Sequence, residues 1–170
     1  TITVNADSTI AVGLQGTNGL TVQGTAVLTL GGIEGNQYTG GTYVKSGTLI
    51  LANQGANSSG TAYAVDSIEA LDAGARLVIP ASFDGTTWSS VRDQIGALAS
   101  VSRLNLTGGT LDLFDEPKNQ RIPVPDGNGL ITNTGTNVQA GLIMVADGLN
   151  HTFSGVIADG NNGVLTGDNF

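Results

Sequence analysis

Short hydrophobic runs alternate with polar turns along the whole chain. The runs are rich in Val, Ile, Leu and Thr, which favour a pleated, half-buried strand. Gly, Asn and Asp separate the runs, as at Asn18-Gly19 and Gly40-Gly41, and supply the positive φ of tight corners. The clearest runs are residues 1–4, 20–22, 26–30, 42–44, 48–51, 76–79, 103–106, 110–113, 130–132, 142–145, 153–157 and 164–166. The pattern predicts an all-β protein.

One phrase recurs along the chain. Gly-Thr-Leu-x-Leu occupies 47–51 and 109–113, and similar strands follow small residues at 75–79 and 24–30. The intervals between equivalent apolar positions are 21, 28 and 34 residues. A repeat of about twenty residues that lengthens where loops are inserted is typical of a solenoid. We therefore expect a parallel β-helix in which each coil stacks short strands on those of the next.

Two segments interrupt the strand pattern within a single predicted domain, 1–170. Val91, Ile95 and Leu98 follow helical spacing, so a short helix flanking the solenoid is expected at 90–99. Three of the four prolines lie at 117–125, so an irregular insertion is expected at about 114–126.

Charge and composition exclude several functions. Charged residues make up 12% of the chain, the net charge is −8, and the six basic residues are scattered, which argues against nucleic-acid binding. The chain has no Cys, so disulfides and thiolate metal sites are excluded. No apolar run reaches the length of a membrane helix, so no membrane insertion is expected. No nucleotide motif is present, and no cofactor is expected.

Candidate chemistry is sparse. The single histidine, His151, has no nucleophile-elbow motif beside it and is interpreted as an exposed or capping residue. Asp112, Asp115 and Glu116 are the acidic residues closest to a paired-carboxylate pattern, but strand alternation places Asp112 opposite Leu111, towards solvent. The Asp-Gly-rich stretches 126–129 and 159–163 lack calcium-loop spacing and are interpreted as turns, with a weak cation site as the alternative. No catalytic or metal residue is predicted.

Residues 26–53, AVLTLGGIEGNQYTGGTYVKSGTLILAN, resemble the autotransporter-associated β-strand repeat of bacterial autotransporter passengers. Phe153-Ser154-Gly155-Val156-Ile157 is similar to the phrase that precedes such repeats. The resemblance implies a right-handed parallel β-helix, export and display at the bacterial cell surface, and it does not imply an enzyme. The matching residues are Leu28, Leu30, Asn36, Tyr38, Thr39, Gly40, Gly41, Thr42, Val44, Gly47, Leu49 and Leu51.

The two ends of the sequence are strand-like and carry neither a helical cap nor a charge cluster. We therefore expect a structural subunit that stacks head-to-tail with copies of itself into an extracellular filament, fibre or sheath. One alternative is a passenger or adhesin fragment whose loops bind a host or polysaccharide surface, and another is a polysaccharide-active β-helix enzyme with carboxylates in a groove. The expected subunit contacts are Ile2, Val4, Val164, Leu165 and Phe170.

Overall fold

The fold is described from a computed structural model. It describes residues 1–32, 35–53, 63–80, 82–83, 88–89, 94–96, 102–114, 120–135 and 142–159. Within these ranges, no helix has the length and apolar character needed to cross a membrane.

The described residues form short β-strands separated by tight corners. In chain order they are β1 (Ile2–Val4), β2 (Ser8–Ile10), β3 (Gln15–Gly16), β4 (Leu20–Gly24), β5 (Val27–Leu30), β6 (Gln37–Tyr38), β7 (Thr42–Val44), β8 (Thr48–Leu51), β9 (Ile68–Asp72), β10 (Arg76–Val78), β11 (Ser82–Phe83), β12 (Trp88–Ser89), β13 (Leu104–Thr107), β14 (Thr110–Asp112), β15 (Gln120–Pro123), β16 (Pro125–Gly127), β17 (Leu130–Asn133), β18 (Leu142–Val145) and β19 (Val156–Asp159).

Successive coils stack their strands in parallel. A six-stranded sheet has the order β1-β4-β7-β9-β13-β16, and a seven-stranded sheet has the order β19-β17-β14-β10-β8-β5-β2. The short pairs β3-β6 and β15-β18 are also parallel, and β11 and β12 pair in antiparallel orientation. The chain enters the six-stranded sheet, turns a corner and enters the seven-stranded sheet once per coil. The predicted parallel β-helix is confirmed.

The register of the seven-stranded sheet confirms the repeat found in the sequence. Leu28 pairs with Leu49, Leu49 with Leu77, and Leu77 with Leu111, so equivalent positions of the recurring phrase lie directly above one another. These side chains form columns inside the coils. The core includes Leu28, Leu30, Val44, Leu49, Leu51, Leu71, Leu77, Ile79, Leu106, Leu111 and Ile131, all of them buried.

Glycines allow close backbone approach at the corners. A Cβ on Gly40 would lie 2.2 Å from the backbone nitrogen of Gly19 in the coil below. A Cβ on Gly129 would lie 2.4 Å from the carbonyl oxygen of Gly109, and one on Gly155 would lie 2.1 Å from the carbonyl oxygen of Gly129. Adjacent coils therefore share corner columns that accept only glycine without a backbone shift.

Two expectations are corrected. Most of the helix predicted at 90–99 lies outside the described residues, but residues 94–96 within it are not helical, since Ile95 forms a parallel bridge with Val65. The segment 114–126 is not irregular throughout, because β15 and the start of β16 lie within it, while residues 115–119 lie outside the description. Pro123 and Pro125 are compatible with strands because β15 belongs to a two-stranded pair and β16 is the last strand of its described sheet, where a missing donor costs little.

Candidate functional site

In the described part of the chain, the coil formed by β1, β2 and β3 has a neighbouring coil on one side only. β1, β2 and β3 are each the outermost strand of their sheets. The carbonyl of Ile10 accepts a hydrogen bond from Gly31 in the second coil. Because successive peptide groups of a strand point to opposite sides, the N–H and C=O of Thr9 between Ser8 and Ile10 point to the free edge. The same alternation directs the peptide groups of Thr3 outwards, since the carbonyl of Val4 accepts from Thr25.

Apolar side chains accompany this edge. Ile2, Ile10 and Leu14 are half-buried and pack against the core. Val4, predicted as a subunit contact, is only 4% exposed because its own coils cover it, so its side chain offers little surface. The predicted contacts Val164, Leu165 and Phe170 lie outside the described residues.

At the other end of the seven-stranded sheet, β19 is the outermost strand. The N–H of Val156 donates to the carbonyl of Gly129 in the previous coil, so the peptide groups of Ile157 point away from the solenoid. The Val156 side chain is 59% exposed on the outer face. Among the residues that the structure describes, the two outermost strands of this sheet thus run in the same direction and direct the peptide groups of Thr9 and Ile157 away from their neighbours in the sheet.

The outer face of the six-stranded sheet is polar. Lys45 Nζ lies 3.1 Å from Asp72 Oδ2, and the hydroxyl of Thr107 donates to Asp72 Oδ1 at 2.7 Å. The Thr107 bond, followed by that from Lys45, lowers the pKa of Asp72. Lys45 also lies over the Tyr43 ring, 5.9 Å from its centroid. These contacts join β7, β9 and β13, so this ladder connects three coils while remaining accessible to solvent.

The prediction that Asp112 faces solvent is wrong. Its carboxylate is fully buried although it points away from the core, because Arg76 and Thr134 cover it. Thr134 donates to Asp112 from its backbone nitrogen at 3.0 Å and from its hydroxyl at 2.6 Å. A carboxylate satisfied in this way links β10, β14 and the residue that follows β17. Asp115 and Glu116, its proposed companions, lie outside the described residues.

His151 is not an exposed or capping residue as predicted but lies half-buried between two carboxylates. Its Nδ1 is 2.9 Å from Asp126 Oδ2 and its Nε2 is 2.9 Å from Asp147 Oδ1. The bonds from Asp147 and then Asp126 raise the pKa of His151. The backbone N–H of Thr152, followed by the imidazole, lowers the pKa of Asp126, and the imidazole lowers that of Asp147. We call His151, Asp126 and Asp147 the His151 cluster.

The His151 ring is not positioned to bind a cation, because each of its nitrogens already contacts a carboxylate oxygen. Among the described residues, no group of three or more His, Asp or Glu side chains is arranged to hold a metal. The Asp-Gly stretch at 126–129 is a corner in which Gly127 has a φ of 96°. Sequence reasoning missed the cluster, although a spacing of 26 residues between Asp126 and Thr152, one coil of this solenoid, was a usable signal.

The repeat-motif residues that the structure describes have structural roles. The Asn36 side chain accepts from the N–H of Leu14 and donates to the carbonyl of Ala64, which joins three successive coils. Tyr38 is buried with its hydroxyl 2.6 Å from Thr42 Oγ1, and burial raises the pKa of Tyr38 to about 12. Of the others, Leu28, Leu30, Val44, Leu49 and Leu51 form core, Gly40, Gly41 and Gly47 form corners, and Thr39 donates its N–H to the carbonyl of Gly16.

The geometry thus brings together free strand edges and a structural repeat. Comparisons with protein families, with curated proteins and with solved structures find no match to this chain.

Proposed function

We propose that this protein is a structural subunit that assembles end to end into an extracellular filament or sheath on a bacterial surface. The supporting observation is that, within the described part of the chain, β2 and β19 are the outermost strands of the parallel seven-stranded sheet and direct the peptide groups of Thr9 and Ile157 outwards. Free edges of this kind accept further strands. A contact between different ends of identical subunits repeats without closure and produces a fibre. The surface location follows from the repeat resemblance.

The alternation of peptide groups defines the register of this contact. Every pair from β2 to β19 is parallel, and continuing the ladder places Thr9 of one copy opposite Ala158 of the next. The N–H of Thr9 then donates to the carbonyl of Ile157. With seven strand layers per copy at ~4.8 Å each, the axial rise is about 34 Å.

A proline at position 9 tests this contact directly. In Thr9→Pro, the free edge of β2 lacks its central donor, while the bond from Gly31 to Ile10 towards the second coil is kept. We expect wild-type protein to form fibres with a rise near 34 Å by electron microscopy. Thr9→Pro is expected to remain monomeric by analytical ultracentrifugation at the same concentration.

Thr9→Val is the matched control, since it keeps the donor and the β-branched shape, and it should assemble like wild type. Thr9→Lys adds a charge at the edge without restricting φ, and it should also block assembly if edge pairing is the contact. Unfolding midpoints of all three variants show whether the first coil stays folded. Wild-type protein that remains monomeric at high concentration, or fibres unaffected by both Thr9→Pro and Thr9→Lys, would contradict the proposal.

A further inference from the structure

The His151 cluster joins a connecting segment to the end of the six-stranded sheet. Asp126 belongs to β16, whereas Asp147 and His151 belong to the stretch 146–151 that follows β18. Asp147 Oδ1 also accepts the backbone N–H of Leu149 at 2.8 Å, which folds this stretch back on itself. Leu149 is 69% exposed, so apolar burial contributes little to holding the segment. The contact of His151 with Asp126 is therefore the side-chain attachment of this segment to β16, and its contact with Asp147 fixes the ring within the segment.

Both contacts require one protonation state. An ionised carboxylate only accepts hydrogen bonds, and a neutral imidazole has a single N–H. Only the imidazolium can donate to Asp126 Oδ2 and Asp147 Oδ1 at once. When the ring is neutral, one nitrogen directs a lone pair at a carboxylate oxygen, and that contact becomes repulsive.

Neighbouring backbone bonds do not depend on this proton. The N–H of Gly127 donates to the carbonyl of Thr152 at 2.9 Å, and the N–H of Ser154 donates to the carbonyl of Gly127 at 2.8 Å. Residues 152–154 thus stay attached to β16 in either protonation state of His151. The effect of a change in the protonation of His151 is therefore confined to residues 146–151.

We propose that His151 is a pH-dependent switch that holds residues 146–151 against β16 when its imidazole is protonated and releases them when it is neutral. Among the described residues, the charged groups acting on the ring are Asp147 from its own segment and Asp126 from β16. Because the His151 pKa is raised above 6.5, the attachment is complete below pH 6.5 and is lost as the pH rises through the pKa of the folded protein. Because both aspartate pKa values lie below 3.8, the carboxylates stay ionised down to that pH. The segment is therefore held best in mildly acidic solution.

The single histidine makes the test direct, because its ring signals need no assignment. We would titrate the His151 ring by NMR and measure amide exchange of residues 146–151 on both sides of its midpoint, corrected for intrinsic rates. We expect a midpoint above 6.5 and a severalfold loss of protection of 146–151 above it, with β16 unchanged. The double variant Asp126→Asn/Asp147→Asn should lower the midpoint, and His151→Gln should abolish the pH dependence of protection.

Asp72→Asn is the matched control, since this aspartate lies on the outer face of the same sheet and binds Lys45 and Thr107 instead. It should leave the His151 titration unchanged. Exchange at β5 and β8 reports whether each variant is folded. A wild-type midpoint at or below 6.5, or equal protection of 146–151 on both sides of the midpoint, would overturn the proposal. Neither readout depends on assembly, so the outcome is independent of the proposed filament.

Discussion

Single polar side chains link neighbouring coils at defined positions. Asn36 joins three coils through its amide, and Asp112 joins three through one carboxylate that binds Arg76 and Thr134. A solenoid has few long-range contacts besides those between adjacent coils, so such links act on the stacking itself. Removing such a side chain leaves its buried partners without a hydrogen bond. The resulting loss in the free energy of unfolding is larger than the net contribution of the hydrogen bond itself.

Replacing Asp112 tests whether a single linking side chain stabilises the stacked coils. Asp112→Ala removes the acceptor of the Thr134 N–H and hydroxyl and leaves Arg76 without its buried partner. We expect a loss of about 1–3 kcal/mol in the free energy of unfolding, measured with urea. Thr110→Ala, on the same outer face of β14, is the control and should change stability by less than about 0.5 kcal/mol. Equal effects of the two variants would contradict a linking role for Asp112.

Whole elements depend on the spacing of their glycines. β4 and β7 each begin after a glycine corner, and Gly19 and Gly40 touch backbone to backbone across the two coils. The distance between parallel strands is fixed at ~4.8 Å, so a side chain at such a corner must displace a coil. The glycine columns therefore set how closely the elements stack.

Adding one methyl group to a column of corner glycines tests whether these glycines set the distance between stacked strands. In Gly40→Ala the new Cβ would lie 2.2 Å from the backbone nitrogen of Gly19, so one strand must shift. We expect this overpacking to cost about 1–3 kcal/mol in chemical denaturation. In the control Gly31→Ala, the nearest atom to the new Cβ is a Thr9 side-chain carbon at 3.8 Å, and stability should hardly change. A Gly40→Ala protein as stable as Gly31→Ala would show that the corner relaxes freely.

At the scale of the whole molecule, the described strands form a stack whose outermost strands differ from the inner ones. Inner strands such as β8 and β10 have a partner on both sides, whereas β2 and β19 each pair with one described strand. Hydrogen exchange reports such differences, because a peptide group in a ladder opens less often than one at an edge.

Amide exchange therefore distinguishes the free protein from an assembly. In dilute solution, we expect the Thr9 amide to exchange rapidly and the Thr29 amide, which lies in the ladder between β2 and β5, to be protected. In assembled fibres the Thr9 amide should become protected, while Thr29 should not change. Rapid exchange of Thr9 within the fibres would place the subunit contact elsewhere.

Strands with strong alternation and a glycine corner were predictable. The runs predicted at residues 42–44 and 48–51 coincide with β7 and β8, and the repeat alignment predicted the register of Leu49, Leu77 and Leu111. β9 was missed because Ile68–Asp72 contains a register shift against both neighbours, which interrupts the period of two. β16 was missed because Pro125 and Gly127 are poor strand residues that only an edge position tolerates.

The sequence by itself determined the strand class, the coil period and the columns of the core, because these follow from local alternation and from residues that recur once per coil. The tertiary structure alone decided the environments of Asp112 and His151. Asp112 is buried by Arg76 and Thr134, which are 36 and 22 residues away. The pKa of His151 is raised by Asp147 and by Asp126, which is 25 residues away. Strand alternation assigns only the face of the sheet towards which a side chain points. What covers that side chain there depends on residues of other coils, whose placement no local pattern encodes.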